Sequence, residues 1–275
     1  MGFVGDKEMK LEVLLSCMNE KDFSITDRLN INSDILIVNQ CNENDYLEKE
    51  NDGFKYRMIK TVKRGLSCSR NELLNNMNGD IGVFCDDDVK YYDNYEKIIL
   101  KAFSELKDAD IIVFDTDMIN YTGPVREKII KIKKAPKNKN YGSVRIAFKK
   151  ESFYKDNLWF NLNFGTGGKY SSGEESLLLR DANKKKLKIY EYPAVIAKVD
   201  YSESSWFNGF DEKYFYDKGA WLKEAYPKTY FLFKWYFVFK FFNKSDLNWK
   251  KILESLNNGI KGYKLNLSFK EYIRM

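Results

Sequence analysis

Short apolar runs alternate with longer polar segments through the first half of the chain. Five of these runs have the length of a strand and are rich in Val, Ile, Leu or Phe: 11–16 (LEVLLS), 34–38 (DILIV), 56–59 (YRMI), 80–85 (DIGVFC) and 110–114 (DIIVF). Runs of this length and composition are typical of buried strands. The pattern therefore predicts a strand at each of the five positions.

Two segments between the runs have helical spacing. Ser67 or Ser69 can cap a helix that continues to Met77. Residues 92–106 place apolar side chains on one helical face, at Tyr95, Ile98, Ile99, Ala102 and Phe103. Strands that alternate with helices predict a parallel sheet with right-handed crossovers and helices on both faces. Ligands of such sheets bind beyond the carboxyl ends of the strands.

The pattern changes after residue 124. Residues 128–139 are basic and extended, which predicts a strand leading to a mobile loop, and 143–149 (SVRIAFK) alternates like a strand with one solvated face. A Gly/Ser-rich loop at 164–173 then leads into a helix. This loop could be a flexible linker, but it ends in a carboxylate pair, Glu174-Glu175, at the helix start, which a linker does not require.

Composition and charge narrow the functional class. Lys and Arg number 46 against 40 Asp and Glu, a net charge of +6, and 44% of residues are hydrophobic, which is ample for a packed core. Residues 226–275 hold ten basic and three acidic residues, so this end carries +7 and the rest of the chain −1. One basic end on a near-neutral body argues against a nucleic-acid-binding protein and fits contact with an anionic surface.

The absence of histidine excludes several chemistries. With no His, Ser-His-Asp hydrolysis, Cys-His proteolysis and His-ligated zinc are unavailable. Any catalysis must use carboxylates, Lys, Tyr, Ser or Cys.

Cysteine usage and the chain start predict a cytoplasmic protein. Cys17, Cys41, Cys68 and Cys85 lack CxxC spacing and lie in or beside apolar runs, which indicates buried free thiols in a reducing compartment. The first residues show no secretory signal pattern.

The segment 230–242 (YFLFKWYFVFKFF) is strongly aromatic and contains Lys234 and Lys240. It is too short and too charged to span a bilayer. Two interpretations stay open: a helix at a lipid interface with snorkelling lysines, or a helix packed on the rest of the chain or on a second subunit.

Three adjacent carboxylates, Asp86, Asp87 and Asp88, come directly after a predicted buried strand. They repel one another unless a cation or solvent compensates, and hard oxygen ligands favour Mg²⁺ or Mn²⁺. The alternative is an acidic turn that caps the helix beginning near Tyr92.

Taken in order, the motifs resemble those of family 2 glycosyltransferases of the GT-A fold, over residues 11 to about 200. The matching pieces are Ser16-Cys17-Met18-Asn19 after the first strand, Asn39-Gln40 after the second, Arg64 to Asn71, the DXD motif Asp86-Asp87-Asp88, and the ED-like Gly173-Glu174-Glu175. The resemblance implies an α/β GT-A fold, Rossmann-like with a mostly parallel sheet. It implies a catalytic domain at 1–200, with a nucleotide-sugar half at about 1–124 and an acceptor half at about 125–200, followed by a helical, aromatic-rich region at 201–275.

The resemblance also implies roles for individual residues. Asp86 contacts the donor ribose or sugar, and Asp88, with Asp86, holds Mn²⁺ or Mg²⁺. The other implied donor-binding residues are Ser16, Asn19, Asn39, Arg70 and Asp87. Asn39 occupies the position that faces the base, and Arg70 either steadies the nucleotide or is an exposed charge on the first helical turn. Some relatives have a His after the final strand, where this chain offers Asp200 or leaves the place to water.

The acid pair resembles the acceptor-side carboxylates of the family. By that resemblance Glu175 is the general base and Glu174 orients the acceptor or the loop, although Glu replaces the usual Asp. Without the upstream motifs, the pair would be two exposed charges favoured by the helix dipole.

The implied function is metal-dependent, inverting transfer of a sugar from a nucleotide-sugar, expected to be UDP-linked, to a hydroxyl of a glycan or lipid-linked acceptor. Such enzymes build capsule, exopolysaccharide or lipopolysaccharide. The protein is expected in the cytoplasm, as a peripheral protein on the inner face of the cell membrane, with residues 226–275 in contact with an anionic membrane surface. No nucleic-acid partner is expected, and a homodimer is possible. The alternatives are a non-catalytic, membrane-peripheral carbohydrate-binding or assembly protein and a nucleotidyltransferase, which is less expected because no Gly-rich, Lys-containing loop follows the first strand.

Overall fold

The structure is a computed structural model that describes residues 9–123, 126–202 and 209–275. Its strands are β1 (Leu11–Met18), β2 (Asp34–Gln40), β3 (Asp45–Asn51), β4 (Phe54–Thr61), β5 (Ile81–Asp86), β6 (Val89–Tyr91), β7 (Ile111–Ile119), β8 (Lys133–Lys134), β9 (Ile146–Lys149) and β10 (Ile189–Asp200). Its α-helices are α1 (Ile25–Arg28), α2 (Leu66–Asn76), α3 (Tyr95–Glu105), α4 (Lys150–Lys155), α5 (Glu174–Lys184), α6 (Glu212–Ala225), α7 (Tyr230–Phe241), α8 (Trp249–Leu265) and α9 (Phe269–Tyr272).

Within the described ranges, ten strands form one mixed sheet in the order β3-β4-β2-β1-β5-β9-β7-β10-β6, with β8 paired to β10. Strands β4, β2, β1 and β5 are mutually parallel, and β9 runs antiparallel between β5 and β7. The five strands predicted from apolar runs are confirmed as β1, β2, β4, β5 and β7. The predicted α/β fold class and the helical, aromatic-rich C-terminal region are confirmed as well.

Three local predictions were wrong. The segment 143–149 has no solvated face, because β9 lies in the interior of the sheet and Ile146 to Phe148 are buried. Helix α2 begins at Leu66, before either predicted serine cap, because the N–H of Leu66 already donates to the carbonyl of Thr166 at 2.9 Å. The basic stretch 128–139 was predicted as a strand leading to a loop, but within it only Lys133–Lys134 form a strand.

The cysteines are all free thiols, as predicted. Cys17 and Cys85 are buried, but Cys41 and Cys68 are partly exposed, because they lie at the end of a strand and on a helix rather than inside the sheet. None of the helices in the described ranges has the length and apolar content needed to cross a membrane.

The chain divides into two compact units. Unit 1 comprises Met1–Arg64, Cys68–Trp159 and Leu178–Glu203, and unit 2 comprises Gly65–Ser67, Phe160–Leu177 and Ser204–Met275. Unit 1 contains the sheet and its apolar core, and unit 2 contains helices α6 to α9 and the Gly/Ser-rich loop. The predicted division at residue 200, between a catalytic domain and a C-terminal region, stays a prediction.

In unit 1, a buried cation joins α2 to the end of β5. The Arg70 guanidinium is buried, and its Nη2 donates to both carboxylate oxygens of Asp86 at 3.1 Å. The same nitrogen donates to Ser143 Oγ at 2.6 Å, in the 3₁₀ turn before β9. One guanidinium therefore fixes three segments at the carboxyl edge of the sheet.

In unit 2, helices α6 and α8 cross at glycines. A Cβ on Gly259 would lie 1.9 Å from the carbonyl oxygen of Tyr216, and one on Gly219 would lie 2.1 Å from that of Leu256. The backbones can approach this closely only because neither position carries a side chain.

We predict that Gly259→Ala lowers the free energy of unfolding by about 3 kcal/mol, because α6 and α8 must separate to admit the methyl group. Urea denaturation measures the change. Gly142→Ala is the matched control, since nothing lies within 4 Å of its Cβ and its φ of −67° suits alanine. Equal losses in the two variants would contradict the close crossing.

We predict that Asp86→Ala lowers the free energy of unfolding by about 3 kcal/mol in ligand-free protein, because the Arg70 guanidinium stays buried without a counter-ion. Glu20→Ala is the control. It removes the partner of Arg28, whose side chain is 56% exposed, and should cost less than about 1 kcal/mol. Similar costs for the two variants would show that burial of Arg70 does not matter.

Candidate active site

The predicted donor-side residues of unit 1 meet at the carboxyl edge of the parallel strands. Ser16 of β1 lies opposite Asp86 of β5, and Cys17 lies opposite Asn39 of β2. The chain leaves β1 toward β2 and β4 on one side and returns to β5 on the other. Such a change of direction is the usual binding position of open α/β sheets.

The orientation of Asp86 is set by its neighbours. Besides the two contacts from Arg70, its Oδ2 accepts a hydrogen bond from Ser143 Oγ at 3.4 Å. Ser16 Oγ donates to Ser69 Oγ of α2 at 2.7 Å, beside this pair. Arg70 is therefore no exposed charge on the first helical turn, which was one of the two interpretations of the sequence. Its contact with a nucleotide stays a prediction.

Asp87 and Asp88 lie in the turn between β5 and β6, where they reach solvent while protein atoms still surround part of each carboxyl group. Desolvation within the turn, and then the charge of Asp86, raise the pKa of both carboxyl groups, that of Asp88 to about 7. Asp87 and, more weakly, Asp200 add to the shift at Asp88. The turn therefore concentrates negative charge that a cation would relieve.

Asp200, at the end of β10, comes next to this turn. Its backbone N–H donates to the carbonyl of Asp88 at 3.0 Å. Its own carboxylate accepts from Asn120 Nδ2 at 2.8 Å and from the N–H of Ser202 at 2.9 Å, and these bonds hold its pKa below the usual value.

The fit of a divalent cation here is partial. In the three described stretches, no group of three or more His, Cys, Asp or Glu side chains is arranged to hold a metal ion. Asp86 is engaged by Arg70, so Asp88 is the carboxylate best placed to ligate, with Asp200 beside it. This set suits Mg²⁺ or Mn²⁺, which are often held by one or two carboxylates with water and phosphate oxygens completing the shell.

Asn39 and Asn19 shape the loop after β1. The Asn39 side chain is fully buried, its Nδ2 donates to the Glu20 carbonyl at 2.6 Å, and its Oδ1 accepts from the Glu20 N–H at 3.1 Å. Asn19 is exposed and adopts a left-handed φ of 57°. The predicted contact of Asn39 with a base stays a prediction, beside this observed role in holding the loop.

The acid pair belongs to unit 2, at the start of α5. Glu174 is buried and Glu175 is partly exposed. The loop before them is ordered by a bridge between Phe164 and Tyr170 and by Gly173, whose φ of +110° suits glycine. The predicted linker alternative is therefore replaced by a structured loop, and the alternative of two exposed charges does not hold for Glu174.

Helix α6 fixes the Gly/Ser-rich loop 164–173 that leads to the acid pair, named the acid-pair loop below. Trp221 Nε1 donates to Ser176 Oγ at 2.9 Å, and its ring lies so near Gly173 that a Cβ there would be 2.5 Å from Trp221 Cδ1. Asp217 Oδ2 accepts from the N–H of Ser171 at 3.0 Å. The C-terminal helices therefore position the first turn of α5.

Lys218 of α6 adds a positive charge near the pair. Its Nζ donates to Ser172 Oγ at 3.3 Å and lies over the Tyr214 ring at 5.2 Å. Burial lowers the pKa of Lys218, and the carboxylates of Asp217, Glu174 and Glu175 act against that shift.

Ser69 was predicted only as a helix cap, and four residues of these arrangements were missed from the sequence: Ser143, Asp217, Lys218 and Trp221. They carry no local motif, and the last three lie some forty residues beyond the loop that they support. Only the tertiary contacts identify them.

Crystal structures of S. aureus TarS are similar to the chain. For TarS 1–349 in complex with UDP-GlcNAc the TM-score is 0.57 at 14% identity, covering 96% of this chain and 77% of that one. The UDP complex gives a TM-score of 0.55 with the same identity and coverage. A further S. aureus TarS structure also gives 0.55, with 46% of its longer chain covered. Identity this low supports the fold alone.

Comparison of sequences identifies the family. The family model described as glycosyl transferase family 2 matches residues 13–176, which is more than half of the chain. No curated protein sequence matches significantly. The resemblance inferred from the five motifs is thereby confirmed: the protein belongs to glycosyl transferase family 2 and is a glycosyltransferase.

Proposed function

We propose that the protein transfers a sugar from a UDP-linked donor to a hydroxyl of a glycan or lipid-linked acceptor in cell-surface polysaccharide synthesis, with inversion and with Mn²⁺ or Mg²⁺. The observation that carries this proposal is the position of Asp86 at the carboxyl end of β5, opposite Ser16 of β1, with Asp88 in the turn that follows, in a chain of this family. Similar structures in complex with UDP-GlcNAc and UDP support the donor class.

On the donor side, Asp86 is presented in a fixed orientation by Arg70 and Ser143, so it can accept from a ribose or sugar hydroxyl without reorganising. Ser16, Asn19, Asn39 and Asp87 complete the proposed donor site. Asp88, with Asp86 or Asp200 nearby, would hold the divalent cation. When bound, that cation supplies Lewis-acid stabilisation of the departing diphosphate.

On the acceptor side, Glu175 is the proposed base. It is the partly exposed member of the pair, so it can reach an acceptor hydroxyl, whereas the buried Glu174 is suited to orient the loop. Glu175 accepts the hydroxyl proton as the oxygen attacks the anomeric carbon and the nucleoside diphosphate departs. A single displacement of this kind inverts the configuration.

We predict that Glu175→Gln lowers kcat by about 10² to 10⁴, because the amide cannot accept the proton. Calorimetry should show unchanged affinity for the nucleotide-sugar, since the donor residues are untouched. Glu254→Gln changes an exposed glutamate of α8 and should leave kcat unaltered. Near-normal turnover of Glu175→Gln would remove this residue from the role of base.

We predict that Mn²⁺ binding in the presence of UDP tightens as the pH rises toward 7. The pKa of Asp88 is about 7, so below this pH a proton competes with the cation, at about tenfold in affinity per pH unit. Above it the carboxylate is ionised and the affinity levels off.

Asp88→Asn should abolish the Mn²⁺-dependent binding of UDP in titration calorimetry.

The control for the metal experiment is Asp181→Asn, which alters an exposed carboxylate of α5 that pairs with Lys184. It should bind Mn²⁺ and UDP as the unaltered protein does. UDP affinity that is the same with and without Mn²⁺ would contradict the metal site.

We also propose that the enzyme works as a peripheral protein on the cytoplasmic face of the membrane. The basic charge at 226–275 and the lack, in the described residues, of a helix that could cross a bilayer support this placement.

A further inference from the structure

Helix α7 presents one apolar side to solvent. Trp235 and Phe239 lie at its centre, and the exposed fractions of its members range from 42 to 71%: Phe231, Leu232, Trp235, Tyr236, Phe239 and Phe242. Spacings of three and four residues put these side chains on the same side of the helix. We name these six residues the outer aromatic face. A contiguous apolar patch of this kind marks an interaction surface.

The opposite side of α7 is held firmly within unit 2. Val238 and Phe241 are buried against α6 and α8, and the Phe233 ring stacks on Tyr226 with centroids 3.9 Å apart. The helix thus has a fixed orientation, and the outer aromatic face cannot turn inward without loss of this core.

The charge around α7 has one sign. Residues 226–245 contain four lysines, Lys228, Lys234, Lys240 and Lys244, and no acidic residue. None of the four makes a salt bridge in the described part of the chain; Lys234 donates to Asn257 Oδ1, and Lys240 lies over the Tyr236 ring at 5.4 Å. Lysines that flank an exposed aromatic face can extend their ammonium groups to lipid headgroups while their stems cover apolar surface.

We propose that the outer aromatic face binds the interface of an anionic lipid bilayer. The lysines match anionic headgroups, which attract basic side chains near the membrane surface. A second copy meeting the same face would bring like charges together with no acidic partner, which disfavours a symmetric dimer there. Twelve residues of helix span about 18 Å, too short to cross the hydrocarbon core and suited to lie in its interface.

The same helix lies beside the acid-pair loop, within unit 2. Phe237 of α7 contacts Trp221 with ring centroids 6.3 Å apart, and Trp221 bonds Ser176, the residue after Glu175. Binding of α7 to a bilayer therefore holds the loop that leads to Glu175 behind the membrane-bound helix and joined to it through Trp221. This inference rests on the proposed transfer reaction, for which a lipid-linked acceptor whose sugar extends from the headgroups fits this arrangement better than a free glycan in solution.

Flotation with lipid vesicles tests the surface directly. We expect the full chain to float with vesicles of equal parts phosphatidylcholine and phosphatidylglycerol, and much less with phosphatidylcholine alone. The double variant Leu232→Ser with Phe239→Ser should lower the partition coefficient about tenfold or more, because two inserted apolar side chains are lost. Trp235 remains in this variant, and the buried side of α7 is untouched.

Matched variants separate the surface from general effects. Ile130→Ser with Leu162→Ser removes two other exposed apolar side chains and should float as the unaltered chain does. Lys240→Glu with Lys244→Glu should weaken flotation only with the anionic vesicles, and added salt should mimic it. UDP-sugar binding by calorimetry should be the same in all variants, so loss of flotation is distinguishable from failure of the proposed function.

Two outcomes would overturn the proposal. One is an unaltered chain that floats with neither type of vesicle. The other is a chain that is dimeric by light scattering and becomes monomeric in Leu232→Ser with Phe239→Ser, which would assign the outer aromatic face to a second copy.

Discussion

The buried Arg70 guanidinium is the constraint on which the carboxyl edge of unit 1 depends. A cation taken out of water needs its counter-ion and every available acceptor, and Asp86 and Ser143 supply them. This requirement ties the first turns of α2, the end of β5 and the turn before β9 to one another. Asp86 pairs with this cation, whereas Asp88, two residues further on, has no such partner among the described residues, and desolvation together with the charge of Asp86 raises its pKa to about 7. The same ion pair that stabilises the edge therefore also fixes the orientation of Asp86.

In unit 2, the Gly/Ser-rich loop needs stabilising contacts, because ordering such a loop costs much conformational entropy. Helix α6 supplies the contacts that order it, through Asp217 and Trp221 on one side, and α6 itself is anchored by its close crossing with α8. The C-terminal helices therefore serve two tasks. Their inward sides fix the loop that carries Glu174 and Glu175, and α7 leaves its outward side to the surroundings.

Much of the fold was predictable because the central strands are buried on both sides and contain short apolar runs, as in β2 (ILIV) and β7 (IIVF). Strand β3 was missed because it lies at the sheet edge and has the polar sequence DYLEKEN. The candidate residues Asp86, Asp88 and Glu175 could be found because they follow strands or open a helix in sequence. The burial of Arg70 could not be predicted, nor could the support from Trp221 and Lys218, because both depend on contacts between segments far apart in the chain.

The crossing of α6 and α8 has an evolutionary consequence. At Gly219 and Gly259 even a methyl group would collide with a backbone carbonyl. No other residue can therefore replace glycine at these two positions while the helices keep their crossing. The aromatic side chains around them can exchange for one another at nearly constant volume. Homologues that keep this helical arrangement should therefore retain the two glycines while their aromatic neighbours diversify, and a lineage that loses either glycine must also have rearranged the helices that hold its acid-pair loop.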